Sequence, residues 1–321
     1  MGISEPLLRG LEGGNDLEDM FAVSNASMLT DSMGMIYDFD TFRGMYEGFM
    51  ETLPSASVLV AEQEGKVVGH AMVWWRDVAG GHRLYSHQSS VLPEYACIRE
   101  RFMDWAERRL TEIALGHRSD ASKMLETQAV AGTALDAIVK GRGYLPSRHF
   151  FEMVSPLDAV PAAVAPEGIT ITPLPEQRVR EAWAASHEAF MDHWGHSEKN
   201  WSDERLEEII ASPLFDLSLW FVAVADGRTV GSVRNYIKPD ENAILGRKRG
   251  YISNLCVLRP WRRRGIAAAL LSKSMAGLAL RGLAEARLAV DPEGTNSALS
   301  LYTKAGFSVS NTYVSYWKPL G

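Results

Sequence analysis

The segment YISNLCVLRPWRRRGIAAALL, residues 251–271, combines a strand, a turn and the start of a helix. Residues 251–257 have the composition of a buried strand, and the apolar positions after Gly265 recur at the spacing of one buried helix face. Three arginines at 262–264 stand at the helix amino terminus, where positive side chains oppose the helix dipole unless an anion is bound. Gly265 and the unpaired N–H groups of the first helical turn therefore predict a cradle for a pyrophosphate. A solvated basic turn is the alternative, because one glycine is a weak motif.

The stretch LAEARLAVDPEGTNSALSLYTKAGF, residues 283–307, continues this half of the chain with a second strand and a helix. Its apolar residues 288–290 read as a buried strand, and Asn296 is placed to cap a helix that ends at Gly306. From the pattern alone, Tyr302 is either a core aromatic or part of a site. In the same way, Asn296 is either a plain cap or a ligand contact.

An internal repeat divides the chain into two halves. The segments VLVAEQEGKVVGHAMVWW (58–75) and LWFVAVADGRTVGSVRNYI (219–237) both read as β-hairpins with a glycine in the turn. A long helical stretch, and later a Gly–aromatic pair followed by an apolar strand, occur in the same order in both halves. This order predicts a duplicated domain, with a first domain at 1–155, a proline-rich linker at 156–168 and a second domain at 169–321.

Each half alternates strands and helices, and the strands before its long helix form hairpins. This arrangement predicts an α/β fold with a mixed, mostly antiparallel sheet flanked by helices in each of two tandem domains. The charged run 245–250 is interpreted as a hairpin turn.

Composition narrows the class of protein. Of 321 residues, 46% are hydrophobic and 23% are charged, which excludes wholesale disorder. The 33 basic and 40 acidic side chains give a net charge of −7, which disfavours a nucleic-acid partner. Two cysteines, Cys97 and Cys256, are too few for a disulfide scaffold or a thiolate metal cluster. No apolar run reaches the roughly 18 residues that span a bilayer. The first residues also lack the pattern of a signal peptide, so we expect a cytoplasmic protein without a membrane partner.

Two motifs in the second half resemble the GNAT superfamily of N-acetyltransferases. The first has the order V-x-x-P-x-R-x-x-G-x-A, and the second has the order D-x-x-x-x-N-x-A-x-x-L-Y-x-K-x-G-F. Their residues are Val257, Pro260, Arg262, Gly265, Ala267, Asp291, Asn296, Ala298, Leu301, Tyr302, Lys304, Gly306 and Phe307. The combination is specific and covers the chain from residue 219 onward. The tandem layout is similar to that of two-domain members such as mycothiol synthase.

The resemblance implies that acetyl-CoA is the co-substrate and that a primary amine of a small molecule or peptide is the acceptor. It also implies that the amine attacks the thioester directly and that no metal takes part. It places the pyrophosphate of coenzyme A on residues 262–267 and the pantetheine arm along residues 255–257. The N–H of Val257 would stabilise the oxyanion, and Tyr302 would protonate the leaving thiolate. Asn296 would hold the pantetheine amide or a nearby water. The co-substrate contacts implied in this way are Leu255, Cys256, Val257, Arg262, Arg263, Arg264, Gly265, Ile266, Ala267, Asn296 and Tyr302.

The resemblance leaves the general base unassigned, because residues 251–254 include no carboxylate where many relatives carry a glutamate. The candidates on the acceptor side are Tyr251, Ser253, Asp192, His193 and Trp194. The stretch 187–196 also holds three histidines, but their spacing is not that of a zinc site.

The first half departs from the motif after Pro93, where the sequence EYACIRERFMDW contains no glycine. Side chains there would block the approach of a pyrophosphate, and Glu94 and Glu100 would repel it. We therefore expect a degenerate first domain and one active site per chain. A monomer is favoured, because the two halves already form a pseudo-dimer.

Two other functions stay open at this point. A non-catalytic acyl-CoA-binding module would fit the missing strand carboxylate. An aminoacyl transferase that uses charged tRNA would fit the tandem layout, although the acidic net charge disfavours it.

Overall fold

The computed structural model describes residues 5–12, 14–52, 57–78, 81–118, 121–191, 198–294 and 298–320. The chain forms two compact units, one made of residues 1–149 with 311–321 and the other of residues 150–310. Within the described ranges, none of the helices combines the length and the apolar character that crossing a membrane requires.

The strands and α-helices follow one another in a similar order in the two units. In chain order they are β1 (Leu7–Gly10), α1 (Gly14–Thr30), α2 (Phe39–Thr52), β2 (Val58–Gln63), β3 (Lys66–Val78), β4 (His82–Val91), α3 (Arg99–Leu115), β5 (Ser122–Val130), α4 (Ala134–Gly141), β6 (Leu145–Pro156), β7 (Thr170–Pro173), α5 (Val179–Phe190), α6 (Asp203–Ala211), β8 (Phe221–Ala225), β9 (Arg228–Ile237), α7 (Pro239–Ile244), β10 (Arg249–Val257), α8 (Ile266–Leu280), β11 (Glu285–Val290), α9 (Ala298–Lys304) and β12 (Ser308–Pro319).

Each unit contains six strands in the same arrangement. The order is β1-β2-β3-β4-β5-β12 in the first unit and β7-β8-β9-β10-β11-β6 in the second. The pairs β4–β5 and β10–β11 are parallel, and the other described pairs are antiparallel. This confirms the predicted mixed, mostly antiparallel sheet flanked by helices.

The last strand of each unit comes from the other half of the sequence. Strand β12, near the end of the chain, pairs with β5 in the first unit, and residues 151–156 of β6 pair with β11 in the second. The predicted boundaries at 155 and 169 follow the repeat along the sequence, and they stay a prediction. The compact units are divided differently, at residues 149 and 310, because strand pairing joins residues that are far apart in the chain.

The two predicted hairpins are present, and the backbone conformation of their turns explains why they form. In β2–β3 the turn residues Glu64 and Gly65 have φ of +52° and +77°, and in β8–β9 Asp226 and Gly227 have φ of +47° and +77°. Two consecutive positive φ angles define the type I′ turn, whose twist matches that of the flanking strands. Glycine at the second position adopts this conformation without a steric penalty.

The connection between β9 and β10 is not the simple hairpin turn that we predicted for residues 245–250. Helix α7 precedes that run and begins with Pro239, which is favourable at the first helical position. The amide of Asn242 then bonds the start of β10, since its Nδ2 donates to the Arg249 carbonyl (2.9 Å) and its Oδ1 accepts from the Arg249 N–H (3.0 Å). The sequence interpretation missed this six-residue helix.

Helix α8 packs its apolar face against the sheet of the second unit, as its spacing predicted. The residues of this face, Ile266, Leu270, Leu271, Met275 and Leu278, are all fully buried. They belong to the main hydrophobic core of the unit, together with residues of β8, β9, β10 and β11. The core therefore fixes the start of α8 next to the end of β10.

Candidate functional site

A β-bulge interrupts β10 where it faces β9. The pairing passes from Ser253 to Cys256 while β9 advances by two residues, so Asn254 and Leu255 face a single residue of β9. Asn254 adopts a left-handed backbone with φ of +49°, which asparagine tolerates better than most residues. A bulge bends a strand and increases its twist.

Strands β10 and β11 are hydrogen-bonded at one end only. They pair in parallel at residues 249–251 and 285–287, although β10 continues to Val257 and β11 to Val290. The separated parts of both strands line a cavity of about 590 Å³. The cavity therefore lies in a wedge between two strand edges, which offer backbone N–H and C=O groups to an extended polar chain.

The backbone N–H of Val257 is directed toward this wedge. The next residue, Leu258, donates its N–H to the Val230 carbonyl on the β9 side (2.9 Å). Because consecutive N–H groups of a strand point to opposite edges, the Val257 N–H points to the β11 side. Val257 itself is buried and lines the cavity.

The amino terminus of α8 opens onto the same cavity. Gly265 precedes the helix with φ of +87°, and no side chain caps the first turn. A Cβ atom at Gly265 would meet only Pro166 Cγ, at 3.8 Å, so the space in front of the glycine is open. The N–H groups at the start of α8 are consequently available to an anion, and the helix dipole favours one there.

The three arginines of the turn have different surroundings. Arg262 Nε donates to the Val257 carbonyl (2.9 Å) and its Nη2 to the Ala189 carbonyl (3.3 Å), so this side chain fixes the turn to β10 and α5. Arg263 lines the cavity. The guanidinium of Arg264 lies 4.8 Å from the ring centroid of Trp261, and Arg264 is not among the residues of the cavity wall.

Tyr302, on α9, forms part of the cavity wall opposite β10. Its side chain is buried and packs edge-on against Phe307, with 6.0 Å between the ring centroids. Burial raises the pKa of the Tyr302 hydroxyl to about 12, so this hydroxyl is protonated at neutral pH. Asn296, which we predicted as a contact of the pantetheine amide or of a nearby water, lies outside the described residues.

The predicted acceptor-side residues are described only in part. Tyr251 and Ser253 both line the cavity, while Asp192, His193 and Trp194 lie outside the described residues. The Ser253 hydroxyl donates to the Arg234 carbonyl (3.2 Å). Among the residues that the structure describes, no group of three or more His, Cys, Asp or Glu side chains is arranged to hold a metal ion.

Tyr251 leads to a buried charged cluster that the sequence interpretation missed. Its hydroxyl donates to Glu241 and accepts a hydrogen bond from Arg247 Nη2 (3.0 Å). Glu241 is only 3% exposed and forms an ion pair with Arg247 at 2.5 Å. Because the Tyr251 hydroxyl has both partners already, it supports the wall of the site. The sequence signal was weak, since Arg247 lies in a run that reads as a solvated turn.

The first unit has the same strand frame, with buried side chains near the end of its parallel strand pair. Val91 pairs with Gly69 as Val257 pairs with Gly231, and the β4–β5 pairing ends at Ser86. Just beyond that end, His87 Nε2 is hydrogen-bonded to the Tyr144 hydroxyl (2.9 Å), and the Thr127 hydroxyl donates to the His87 carbonyl (3.1 Å). These three side chains are buried.

The comparisons with known proteins agree with this geometry. Residues 180–307 match the Acetyltransferase (GNAT) family. A search of curated protein sequences found no significant match.

Several solved structures share the fold of the whole chain. A GCN5-related N-acetyltransferase from Sphaerobacter thermophilus is 23% identical, with a TM-score of 0.70, 98% of this chain covered and 95% of that one. A tandem GNAT protein from the clavulanic acid biosynthesis pathway is 16% identical, with a TM-score of 0.67 and 99% of both chains covered. A GNAT-family acetyltransferase from Colwellia psychrerythraea is 13% identical, with a TM-score of 0.60, 97% of this chain covered and 99% of that one. At these identities the likeness concerns the fold. The similarity to mycothiol synthase stays a prediction.

Proposed function

We propose that this chain, whose residues 180–307 match the Acetyltransferase (GNAT) family, transfers the acetyl group of acetyl-CoA to a primary amine of a small molecule or peptide. The observation that carries the proposal is the wedge between β10 and β11. It is open at the uncapped amino terminus of α8, and Tyr302 forms part of its wall. The second unit holds the proposed site, and the first unit is proposed to be a degenerate copy.

The start of α8 would bind the pyrophosphate. The N–H groups after Gly265 supply hydrogen bonds without a competing cap, and the helix dipole adds a favourable potential. Arg263 adds positive charge at the cavity wall. Arg262 and Arg264 would contribute mainly through their backbone, because Arg262 fixes the turn and Arg264 lies against Trp261.

The free edge of β10 would bind the pantetheine arm. Residues 255–257 lie beyond the end of the β10–β11 pairing, so an extended chain carrying amide groups can add to this edge as a further strand. This alignment would carry the thioester to the end of the wedge that Tyr302 borders. Asn296 stays a proposed contact of the pantetheine amide or of a water.

The chemical step requires two groups of this chain. The amine nitrogen attacks the thioester carbonyl carbon, a C–N bond forms, and the carbonyl oxygen becomes an oxyanion that the Val257 N–H stabilises. The C–S bond then breaks, and the leaving thiolate receives a hydrogen bond and a proton from the Tyr302 hydroxyl, which is protonated at neutral pH. The amine proton passes to a water at the acceptor side, which we propose that the Ser253 hydroxyl holds, and Tyr302 regains its proton from solvent, so that the products are the acetylated amine and the free thiol.

The test measures thiol release from acetyl-CoA with a panel of amines, beside acetyl-CoA binding by calorimetry. We expect binding and amine-dependent thiol release in the wild type, and binding without rapid release in Tyr302→Phe. Absence of acetyl-CoA binding would refute the proposal. If the wild type binds acetyl-CoA but no amine increases thiol release, and Tyr302→Phe leaves every measured rate unchanged, the chain is a non-catalytic acyl-CoA-binding module.

A further inference from the structure

Arg234 carries a guanidinium group that has no hydrogen-bond or ion-pair partner among the described residues. It lies in β9, and its side chain donates no hydrogen bond and forms no ion pair with any residue that the structure describes. Its Nε atom is fully buried and has no hydrogen-bond partner. Arg234 as a whole is half-buried, but a buried N–H donor without an acceptor is costly, so the position of Nε requires an explanation.

Two tryptophans hold the guanidinium between them. It lies 5.2 Å from the ring centroid of Trp183 and 5.4 Å from that of Trp220. Trp183 is itself fixed, because its Nε1 donates to the Trp201 carbonyl (3.0 Å), and Trp220 packs edge-on against Phe215. Cation–π contacts orient the guanidinium but accept none of its hydrogen bonds.

Within the part of the chain that the structure describes, no carboxylate forms an ion pair with Arg234. Burial lowers the pKa of its guanidinium to about 10, and the positive charge of Arg205 acts in the same direction. The group nevertheless stays protonated at neutral pH, because that value is well above 7. The hydroxyls of Ser186 and Ser232 bond to one another (2.9 Å) and to Cys256. Arg234 is therefore a positively charged side chain in a fixed place, and its Nε has no hydrogen-bond acceptor among the described residues.

Arg234 belongs to the same face of the sheet as the acceptor side of the cavity. It pairs directly with Ser253 across β9 and β10, and directly opposite residues project their side chains to the same face. Ser253 lines the cavity. Helix α5 carries Trp183, which contacts the Arg234 guanidinium. One to two turns later the same helix carries Ala189 and Phe190, which line the cavity.

We propose that Arg234 binds a negatively charged group of the acyl acceptor, a carboxylate or a phosphate, so that the enzyme acetylates amines that carry an anionic group. This inference rests on the proposed function, because it names the substrate class of the same site. The guanidinium is held in one plane, and its Nε has no hydrogen-bond partner among the described residues. Two of its N–H groups can therefore donate parallel hydrogen bonds to two oxygen atoms of such a group.

The first experiment compares matched probes by tryptophan fluorescence and melting temperature. N-acetylalanine and methyl phosphate carry the two anionic groups, and N-acetylalanine amide is the neutral control. We expect a saturable change with one or both anionic probes and none with the amide. Arg234→Met should abolish the change, while Arg205→Met, which removes an exposed arginine paired with Glu208 at 2.7 Å, should retain it. The contrast between the two anionic probes tells which group is recognised.

The second experiment uses the acetylation assay with a dipeptide and its carboxyl amide as acceptors. Arg234→Met should raise KM for the dipeptide about 10- to 100-fold, as expected for a lost charged hydrogen bond, and should change kcat and the KM of the amide little. Arg234→Lys keeps the charge without the planar fork and should lie between wild type and Arg234→Met. Circular dichroism and acetyl-CoA binding report that both variants are folded.

Equal responses to anionic and neutral probes in the wild type would overturn the inference, and so would an unchanged contrast in Arg234→Met. These outcomes are separate from the failure of the proposed function, which is read from acetyl-CoA binding alone. If acetyl-CoA does not bind, the fluorescence contrast still tests anion binding at Arg234.

Discussion

Replacing Gly265 by glutamate tests the anion site at the start of α8 most directly. The change has two separable effects, a strained backbone and an added negative charge. A residue with a side chain at φ of +87° costs about 1–2 kcal/mol, but the side chain meets open space, so little further steric cost is expected. The new carboxylate would stand about 5 Å from a bound diphosphate, and at an effective dielectric constant near 20 each pair of charges costs about 3 kcal/mol.

Gly282→Glu is the matched control. Gly282 follows the other end of α8, has φ of +76°, is exposed, and also faces open space. The same backbone strain is therefore introduced at both positions. The 15 residues of α8 separate them by about 22 Å, which is more than the Debye length at physiological salt.

Both variants should lose about 1–2 kcal/mol of unfolding free energy, measured by denaturant titration. Only Gly265→Glu should lose acetyl-CoA affinity, by about 100-fold or more in Kd by calorimetry, because about 3 kcal/mol corresponds to roughly that ratio. If Gly265→Glu binds acetyl-CoA within about threefold of Gly282→Glu, the diphosphate does not bind at this helix, and the reasoning is refuted.

Three further predictions concern Tyr302, the charged cluster and the first unit. Tyr302→Phe should lower kcat about 10²- to 10⁴-fold with unchanged acetyl-CoA affinity. Because burial raises the pKa of Tyr302 to about 12, the wild-type kcat should show no fall near pH 10, and a fall there in stopped-flow assays would exclude this acid. Glu241→Ala leaves Arg247 without its buried carboxylate and should cost about 3–5 kcal/mol in denaturant titrations, while acetyl-CoA affinity of the folded protein stays the same. Burial lowers the pKa of His70 and His87 to about 4 from 6.5, so the neutral forms stabilise the fold above pH 6.5. That contribution, on the order of 3 kcal/mol each, should be lost as the pH falls from 6.5 through 4, and His87→Gln should reduce the pH dependence of melting.

Local sequence patterns were sufficient to predict the structure where a short segment determines its own conformation. The Asp226–Gly227 turn and the apolar face of α8 follow from neighbouring residues, and both are present. The sequence interpretation included residues 262–265 in the first helical turn, whereas the helix begins at Ile266 and Gly265 precedes it with φ of +87°, a conformation that glycine adopts at no cost.

Long-range pairing could not be predicted in this way. The sequence of β12 would fit either unit, since both end in the same strand pattern, and only its hydrogen bonds to β5 assign it. Helix α7 has six residues, too few for a helical periodicity to show. The isolation of Arg234 was equally hidden, because an arginine in a strand usually reaches solvent or a carboxylate. Its lack of a partner is a property of the packed structure.

The two units differ at the end of their parallel strand pair, which is β4–β5 in the first unit and β10–β11 in the second. In the first unit, His87 and Tyr144 are buried near that end and bond to one another, so they contribute packing and a satisfied hydrogen bond to the fold. In the second unit, the bulge at Asn254 and the glycine at 265 leave about 590 Å³ unfilled, and that packing is lost. A fold retains such a cavity at a cost in stability only where a ligand occupies it, because binding to the native state restores the lost free energy. The same reasoning applies to the unpaired charge of Arg234, which lies on the face of the sheet that borders the cavity. Both features are in the second unit, where we propose a single site for a thioester and for an acceptor that carries an anionic group.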